Sequence, residues 1–368
     1  MKKAIYAFVM ISLFSFSFMP AIASTTNVTT GMTQIQSGGA DPIVKAKWEA
    51  NIDGYTDDSS AAGAQFYPTG VYNQDRVIKI CAIVTDPDGV ADIQGVYADV
   101  YYPSGIAVGP KHVKLPSQDG SSTAGCGVLM QEDTLSVLSK ADGINLFCNL
   151  VRNNNNGLPT FNNEPQVYNY DEICKLDGEL QKETAYVYCA DKHLSYEDPS
   201  GTYPVTAIAQ DANSLTGTLD NSFEYLPITA FETDFTSVSY GNVKLNTHKI
   251  INGDLTWSPI NLGPATVRNV GNTRLNLKVY QDDMGLGKTS GQWNVQYDAR
   301  VGSNSIFADY SPEVTTTLDD TLDLSELDEV DFSILVTKFP TNHSTTWTGN
   351  ITLTADAYAH LVCGELHD

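Results

Sequence analysis

Residues 77–103, VIKICAIVTDPDGVADIQGVYADVYYP, decide the fold. Apolar residues recur at every second position on both sides of a central Asp86-Pro87-Asp88-Gly89 segment, and a period of two is the period of a β-strand. The positions that share a face are Ile78, Ile80, Ala82 and Val84 in the first run and Val96, Ala98, Val100 and Tyr102 in the second. Asp, Pro and Gly in this order favour a turn. The stretch therefore predicts two strands of a β-sandwich joined by an acidic loop.

The N-terminus predicts export from the cell. Lys2 and Lys3 precede an apolar run that ends in the small-x-small sequence Ala21-Ile22-Ala23, which is typical of a secretory signal peptide over residues 1–23. A membrane anchor would need roughly 20 unbroken apolar residues, and serines interrupt this run. We expect an extracellular or cell-surface protein with no transmembrane segment after signal cleavage.

Charge and cysteine content narrow the class of protein further. The formal net charge is −23, which repels phosphate backbones, so we expect no nucleic-acid partner. Six cysteines in an exported chain predict disulfides, but six cysteines allow 15 pairings and the sequence selects none. The candidates are Cys81, Cys126, Cys148, Cys174, Cys189 and Cys363.

The predicted fold class is all-β, with two tandem Ig-like β-sandwich domains. Residues 24–41 form a flexible N-terminal segment and a possible donor strand, residues 42–226 the first sandwich, residues 227–361 the second, and residues 362–368 a C-terminal tail. Leucines and aromatic residues at nearly helical spacing predict a disulfide-braced insertion with short helices at about residues 114–182. In the second sandwich, the turn Asn269-Val270-Gly271-Asn272 between two alternating runs predicts a hairpin.

Several motifs resemble the Ig-like and PKD-like sandwiches of prokaryotic, above all archaeal, surface proteins. They are T-D-P-D-G-V at residues 85–90, and G-T-Y-x-V-x-A-x-A-x-D at residues 201–211, in which Tyr203 is similar to the tyrosine corner of Ig-type folds. The second half combines N-V-G-N-T-x-L-N-L-x-V with T-G-N-I-T-L-T-A, and resembles surface-layer and extracellular fibre subunits. The resemblance implies a fold and says little about function.

The acidic loop predicts a metal site. Asp86, Asp88 and Asp92 surround Gly89, and hard oxygen ligands at alternate positions suit Ca²⁺. The pattern is incomplete, because Pro87 intervenes and no Glu closes a twelve-residue loop, and Asp-Pro-Asp-Gly also makes a favourable turn without an ion. Two further acidic groups, Asp282-Asp283 and Asp319-Asp320-Asp323, are weaker candidates that we interpret as solvated loops.

Other motifs point away from enzymatic activity. Gly285-Leu286-Gly287-Lys288-Thr289 ends like a phosphate-binding loop but has Asp282 where that motif requires Gly. The six histidines are scattered, and no hydrolase or metalloprotease motif is present in the sequence. Three sequons make Asn27, Asn342 and Asn350 candidate glycosylation sites, with Asn342 favoured because Asn350 is expected on a strand.

The sequence therefore predicts a non-enzymatic structural or adhesive protein of the cell surface. We expect it to be a filament or surface-layer subunit that associates with itself or with other surface proteins by β-strand addition. The alternative is a monomeric carbohydrate-binding module assisted by Ca²⁺, with tyrosine and tryptophan rings as a platform on which sugars stack.

Overall fold

The computed structural model describes residues 39–51, 64–106, 126–151, 170–260, 262–341 and 345–360. The predicted signal peptide, Asn27, Asn342, Cys363 and the C-terminal tail lie outside these ranges, as do residues 24–38 of the N-terminal segment. No helix in the described ranges has the length and apolar character needed to cross a membrane.

The first sandwich consists of a four-stranded and a five-stranded sheet. The four-stranded sheet has the order β1-β3-β7-β6, with β1 at Ile43–Asn51, β3 at Asp75–Thr85, β6 at Ser136–Val137 and β7 at Ala185–Ser195. The second has the order β2-β9-β8-β4-β5, with β2 at Gln65–Phe66, β4 at Ile93–Tyr101, β5 at Leu129–Thr134, β8 at Gly201–Asp211 and β9 at Thr216–Tyr225. The acidic loop carries the chain from β3 in one sheet to β4 in the other. Both predicted alternating faces meet in one buried core.

Short helices cover the outer face of the four-stranded sheet. They are α1 at Lys140–Ile144, which continues as a π-helix over Asn145–Val151, α2 at Tyr170–Cys174 and α3 at Glu179–Lys182. Trp48 packs beneath them against Phe147, with ring centroids 5.1 Å apart, and Ile83 is fully buried here. Because helices cover its outer face, the middle of β3 is buried on both sides, which explains its continuous run of apolar residues.

Two disulfides brace this layer. Cys81 and Cys189 are directly opposite each other on β3 and β7, and Cys148 is joined to Cys174, which ties the π-helix to α2. Cys126 is also disulfide-bonded. The helical spacing predicted for this region does not hold in its first described part. Residues 129–134 and 136–137 instead form strands β5 and β6, which pair with β4 and β7. Over a run this short, spacing alone does not separate a strand from a helix.

The second sandwich opposes a six-stranded and a three-stranded sheet around its own core. The larger sheet contains β10 at Phe231–Phe235, β11 at Lys249–Ile251, β12 at Leu262–Asn269, β16 at Val295–Val301, β17 at Ala308–Tyr310 and β19 at Leu327–Val336. The smaller sheet has the order β18-β13-β20, with β13 at Arg274–Gln281, β18 at Thr316–Leu322 and β20 at Ile351–Tyr358. A small hairpin joins β14 at Lys288–Thr289 to β15 at Gln292–Trp293.

The predicted hairpin around residues 269–272 is wrong. Strand β12 pairs with β10 and β19, whereas β13 pairs with β18 and β20, so the turn crosses between sheets. Its Asn269 and Asn272 side chains are fully buried, and Asn272 connects the two sandwiches. The side chain of Asn272 accepts from the Ile228 amide at 2.7 Å and donates to the Leu226 carbonyl at 3.0 Å, while its own carbonyl accepts from Ser200 N.

A stacked arginine reinforces this joint. The Arg268 guanidinium on β12 lies 3.6 Å from the ring centroid of Tyr72, in the first sandwich, and 3.7 Å from that of Trp257, in the second. Glu232 neutralises it across the strand pair. Because a guanidinium stacks on aromatic faces and pairs with carboxylates at once, this cluster orients the two sandwiches.

Tyr203 lies near the start of β8 and forms the expected tyrosine corner. Its side chain is fully buried and its hydroxyl donates to the carbonyl of Pro199, four residues upstream, at 2.7 Å. The ring stacks on Phe223, with centroids 5.1 Å apart. The hydroxyl therefore fixes the chain that leads into β8 while the ring fills the core.

We expect Tyr203→Phe to lower the free energy of unfolding by about 1 kcal/mol, because the ring stays packed while the buried Pro199 carbonyl loses its donor. Urea unfolding at neutral pH measures this. Tyr358→Phe is the matched control, because that ring is 48% exposed. Equal stability of both variants and the parent protein would contradict a structural role for the corner.

Candidate functional site: an uncharged groove and an acidic cluster

The core of the second sandwich is open along one side. A groove of about 960 Å³ lies between strand β10 with the following loop, residues 236–243, and strand β20. Its floor comes from Ile334 and Val336 of β19, and its walls include Phe235, Trp347 and Leu353. These wall residues are only partly buried although they contact the core. The inner face of the sandwich is therefore accessible from this side.

Both strands that border the groove are sheet edges. Among the described residues, strand β20 pairs only with β13 and is last in its sheet, and β10 is last in the opposite sheet. Along β20, the half-buried positions Ile351, Leu353 and Ala355 alternate with exposed ones. The apolar face of β20 thus points into the groove, and its outer edge carries backbone groups that have no neighbouring strand among the described residues.

The groove differs from the rest of the molecule in its chemistry. Its 25 lining residues include no Asp, Glu, Lys or Arg, although 18% of the chain is charged. The indole Nε1 of Trp347, in the wall, is buried and has no hydrogen-bond partner within the described ranges. Neutral Ser, Thr, Asn and Gln side chains share the lining with apolar ones. An uncharged groove along a sheet edge suits the binding of another polypeptide segment as an added strand.

The three predicted metal ligands come together at the end of the first sandwich. Asp86 follows β3, Asp92 precedes β4, and the turn between them brings in Asp88. One carboxylate oxygen from each lies within 4.8 Å of the others. Ligand oxygens sit about 2.3–2.6 Å from Ca²⁺, so this spread is compatible with a shared ion. Whether a metal binds there stays a prediction.

The electrostatics of the cluster are unfavourable without a cation. Asp86 is 5% exposed. Its Oδ1 accepts from Asp88 N at 2.7 Å, whereas its Oδ2 is buried and has no hydrogen-bond partner among the residues that the structure describes. Burial raises the pKa of Asp86, and the nearby charges of Asp88, Asp92 and Asp211 raise it further.

The other acidic groups have structural roles. Asp283 accepts from Gly285 N and Gly287 N, which shapes the glycine-rich connection before β14. The expectation of a solvated loop at residues 319–323 is wrong, because Asp319 and Asp320 lie on β18. Asp323 is buried and forms an ion pair with Arg274.

The candidate phosphate loop and the candidate glycosylation site at Asn350 also have structural contacts. Lys288 lies over the Trp293 ring instead of facing a phosphate cradle. Asn350 precedes β20 instead of lying on it, and its side-chain amide donates to Asp282.

One histidine lies close to both a carboxylate and a serine. His248 Nδ1 is 3.0 Å from Asp298 Oδ2 and 3.3 Å from Ser333 Oγ. In a Ser-His-Asp relay the serine and the carboxylate face opposite ring nitrogens. Here both face the same nitrogen, so the arrangement does not have the geometry of a hydrolase triad.

Sequence reasoning missed the groove and one neighbour of the acidic cluster. No local pattern indicates that β10 and β20 end up as facing edges, because strand order is a long-range property. Asp211 ends β8 beside β4, and Ala212 N donates to the Asp92 carbonyl at 2.9 Å. The final Asp of the G-T-Y-x-V-x-A-x-A-x-D pattern was the available signal for this position.

Comparisons with known protein families and with curated protein sequences find no match. Among solved structures, the chain is similar to the CsuC–CsuE chaperone–tip adhesion subunit pre-assembly complex of the archaic chaperone-usher Csu pili of Acinetobacter baumannii, with 12% identity and a TM-score of 0.30 over 81% of this chain and 99% of that one. It is similar to the C-terminal domain of the antigen I/II-family protein AspA of Streptococcus pyogenes, with 10% identity and a TM-score of 0.23 over 86% and 95%. It is also similar to carbohydrate-binding modules of the β-sandwich superfamily, with 12% identity and a TM-score of 0.21 over 87% and 97%. TM-scores this low carry no argument about function.

Two further acidic residues, Glu326 and Asp328, lie near the turn between β18 and β19, and they predict how the stability of the protein depends on pH. Burial raises the pKa of Glu326 to about 7 and that of Asp328 to about 6. The folded protein therefore holds protons that the unfolded chain has released. The contribution of these two groups to the free energy of unfolding is fully present below the pKa of about 4.5 that Glu has in the unfolded chain, and it is lost as pH rises towards 7.

We expect Glu326→Gln to raise the free energy of unfolding at pH 8 by about 2 kcal/mol and to leave it nearly unchanged at pH 4, because the amide mimics the protonated acid and still accepts from Asp323 N. Thermal unfolding between pH 4 and 8 measures the difference. Glu313→Gln, at an exposed position, is the control. A stability gain that is independent of pH would argue against this assignment.

Proposed function

We propose that this protein is a non-enzymatic, extracellular structural subunit that assembles by β-strand addition, with the groove beside β20 as the acceptor. The observation that carries the proposal is an uncharged groove, with partly buried apolar side chains in its walls, along the edge of β20. A strand laid beside β20 would gain backbone hydrogen bonds at that edge. Its alternate side chains would cover Phe235, Trp347 and Leu353, which are only partly buried.

The proposed donor is the N-terminal segment of a second copy, residues 24–38. Its sequence, STTNVTTGMTQIQSG, contains no charged residue, whereas the whole chain carries a net charge of −23. In an extended conformation Val28, Thr30 and Met32 share one face. Fifteen residues span about 50 Å, which exceeds the roughly 26 Å of the eight residues of β20. The segment therefore matches the groove in charge, pattern and length.

The placement of donor and acceptor supports head-to-tail assembly. The donor precedes the first sandwich, and the acceptor lies in the second. A contact between two different surfaces of identical subunits generates open filaments or closed rings. The stacked Arg268 and the Asn272 hydrogen bonds hold the two sandwiches together, so the repeat along such an assembly would be regular.

Substitutions on β20 test the acceptor. We expect Leu353→Asp to abolish filaments of the mature protein seen by negative-stain electron microscopy, because it places a charge on the apolar face of the groove. Thr354→Asp, on the exposed face of the same strand, should leave assembly intact. If both variants assemble equally, the groove is not the acceptor. Thermal unfolding of each variant identifies a loss of assembly that is due to misfolding.

Deletion tests the donor. We expect a mature protein without residues 24–38 to remain monomeric in analytical ultracentrifugation, and a synthetic peptide of residues 24–38 to bind it with 1:1 stoichiometry in calorimetry. A peptide with Val28 and Met32 both replaced by Asp is the control and should not bind. Normal assembly of the truncated protein would rule out strand donation.

A further inference from the structure

The acidic cluster also contacts the start of the described chain. Ala40 N donates to Asp88 Oδ2 at 2.6 Å. Gly39 has φ of +98°, and a Cβ built at that position would lie 2.8 Å from Asn213 Nδ2 and 3.2 Å from Asp88 Oδ2. The backbone at residues 39 and 40 is therefore seated against the cluster. This is the point where the N-terminal segment joins the first sandwich.

The cluster has no basic counter-charge in the described part of the chain. None of its three aspartates forms an ion pair with Lys, Arg or His there, and Asp211, fully buried beside them, accepts only from amides of its own turn. Asp86 Oδ2 is buried and unpartnered. A buried carboxylate oxygen without a donor needs a partner, and a cation, a proton or a water molecule can each supply one.

The chemistry of the ligands selects the cation. All the available donors are hard oxygens, which suit Ca²⁺ or Mg²⁺ better than softer transition metals. The three oxygens lie within 4.8 Å of one another, and one Ca²⁺ with oxygen ligands at about 2.3–2.6 Å can bridge separations of this size. The irregular turn also fits the flexible coordination of Ca²⁺.

We propose that Asp86, Asp88 and Asp92 bind one Ca²⁺ and that this ion fastens residues 39–41 to the first sandwich. The ion removes the repulsion among the carboxylates and fixes the Asp88 side chain that holds Ala40 N. The donor segment then leaves the sandwich from a fixed point. This last consequence rests on the proposed function, whereas binding of the ion does not.

Calorimetry with CaCl₂ on the mature protein tests the site. We expect one ion per chain with a Kd near the 10⁻⁴ to 10⁻³ M that is typical of extracellular calcium modules. Asp86→Asn and Asp92→Asn should each weaken binding at least about tenfold, since each removes one charged ligand. Asp319→Asn, an exposed aspartate of the second sandwich, is the control. Absence of binding at millimolar Ca²⁺, or equal weakening by the control, would overturn the site.

Hydrogen exchange tests the fastening. In the parent protein, Ca²⁺ should slow exchange of the Ala40 amide at least about tenfold, and Asp86→Asn should abolish this effect. Binding without protection of Ala40 would refute the fastening. Filament formation with and without a chelator separates this proposal from the proposed function. A protein that binds Ca²⁺ and protects Ala40 yet never assembles would refute strand addition and leave the calcium site intact.

Discussion

A β-sheet in a sandwich has an apolar face that must be kept from water, and the rest of this structure depends on how that requirement is met. In the first sandwich the described elements meet it on both faces of the four-stranded sheet. The two sheets cover each other, and the helices of the insertion cover the outer face of β1, β3 and β7, so Trp48 and Ile83 are fully buried. In the second sandwich the strands β10 and β20 leave the inner face open between them. Apolar surface that stays partly exposed can still release about 25 cal/mol per Å² when it is covered.

The joint between the sandwiches is built from groups that are unusual in a core. Asn272 is fully buried, and its amide and carbonyl groups replace a backbone ladder where the chain passes from one sandwich to the next. A side chain added at Gly271 would place its Cβ 2.3 Å from the Ile228 carbonyl oxygen. Buried polar groups that are fully hydrogen-bonded specify one arrangement, because any other would leave them unpaired. Together with the stacked Arg268, they give the two sandwiches a defined relation.

Local patterns predicted much of the fold and little of the connectivity. The alternation around residues 77–103, the turn at Asp86 to Gly89 and the corner at Tyr203 all have local causes, and the structure contains each of them. The hairpin at Asn269 to Asn272 was wrong because a turn between two alternating runs is compatible with pairing and with crossing between sheets. The helical expectation failed at Leu129 because a strand six residues long has too few positions to establish a period.

The features of the candidate sites also separate into those that depend on neighbouring residues in the chain and those that depend on distant segments. By itself, the sequence determined the strands and their inward faces, the acidic turn with Asp86, Asp88 and Asp92, and the uncharged character of residues 24–38, because each depends on residues adjacent in the chain. Only the tertiary structure decided that Cys81 pairs with Cys189, that Ala40 and Asp211 adjoin the acidic turn, and that β10 and β20 border an open groove. The physical reason is that strand order is set by contacts between distant segments, and a side-chain period of two is the same whichever neighbour a strand finally acquires.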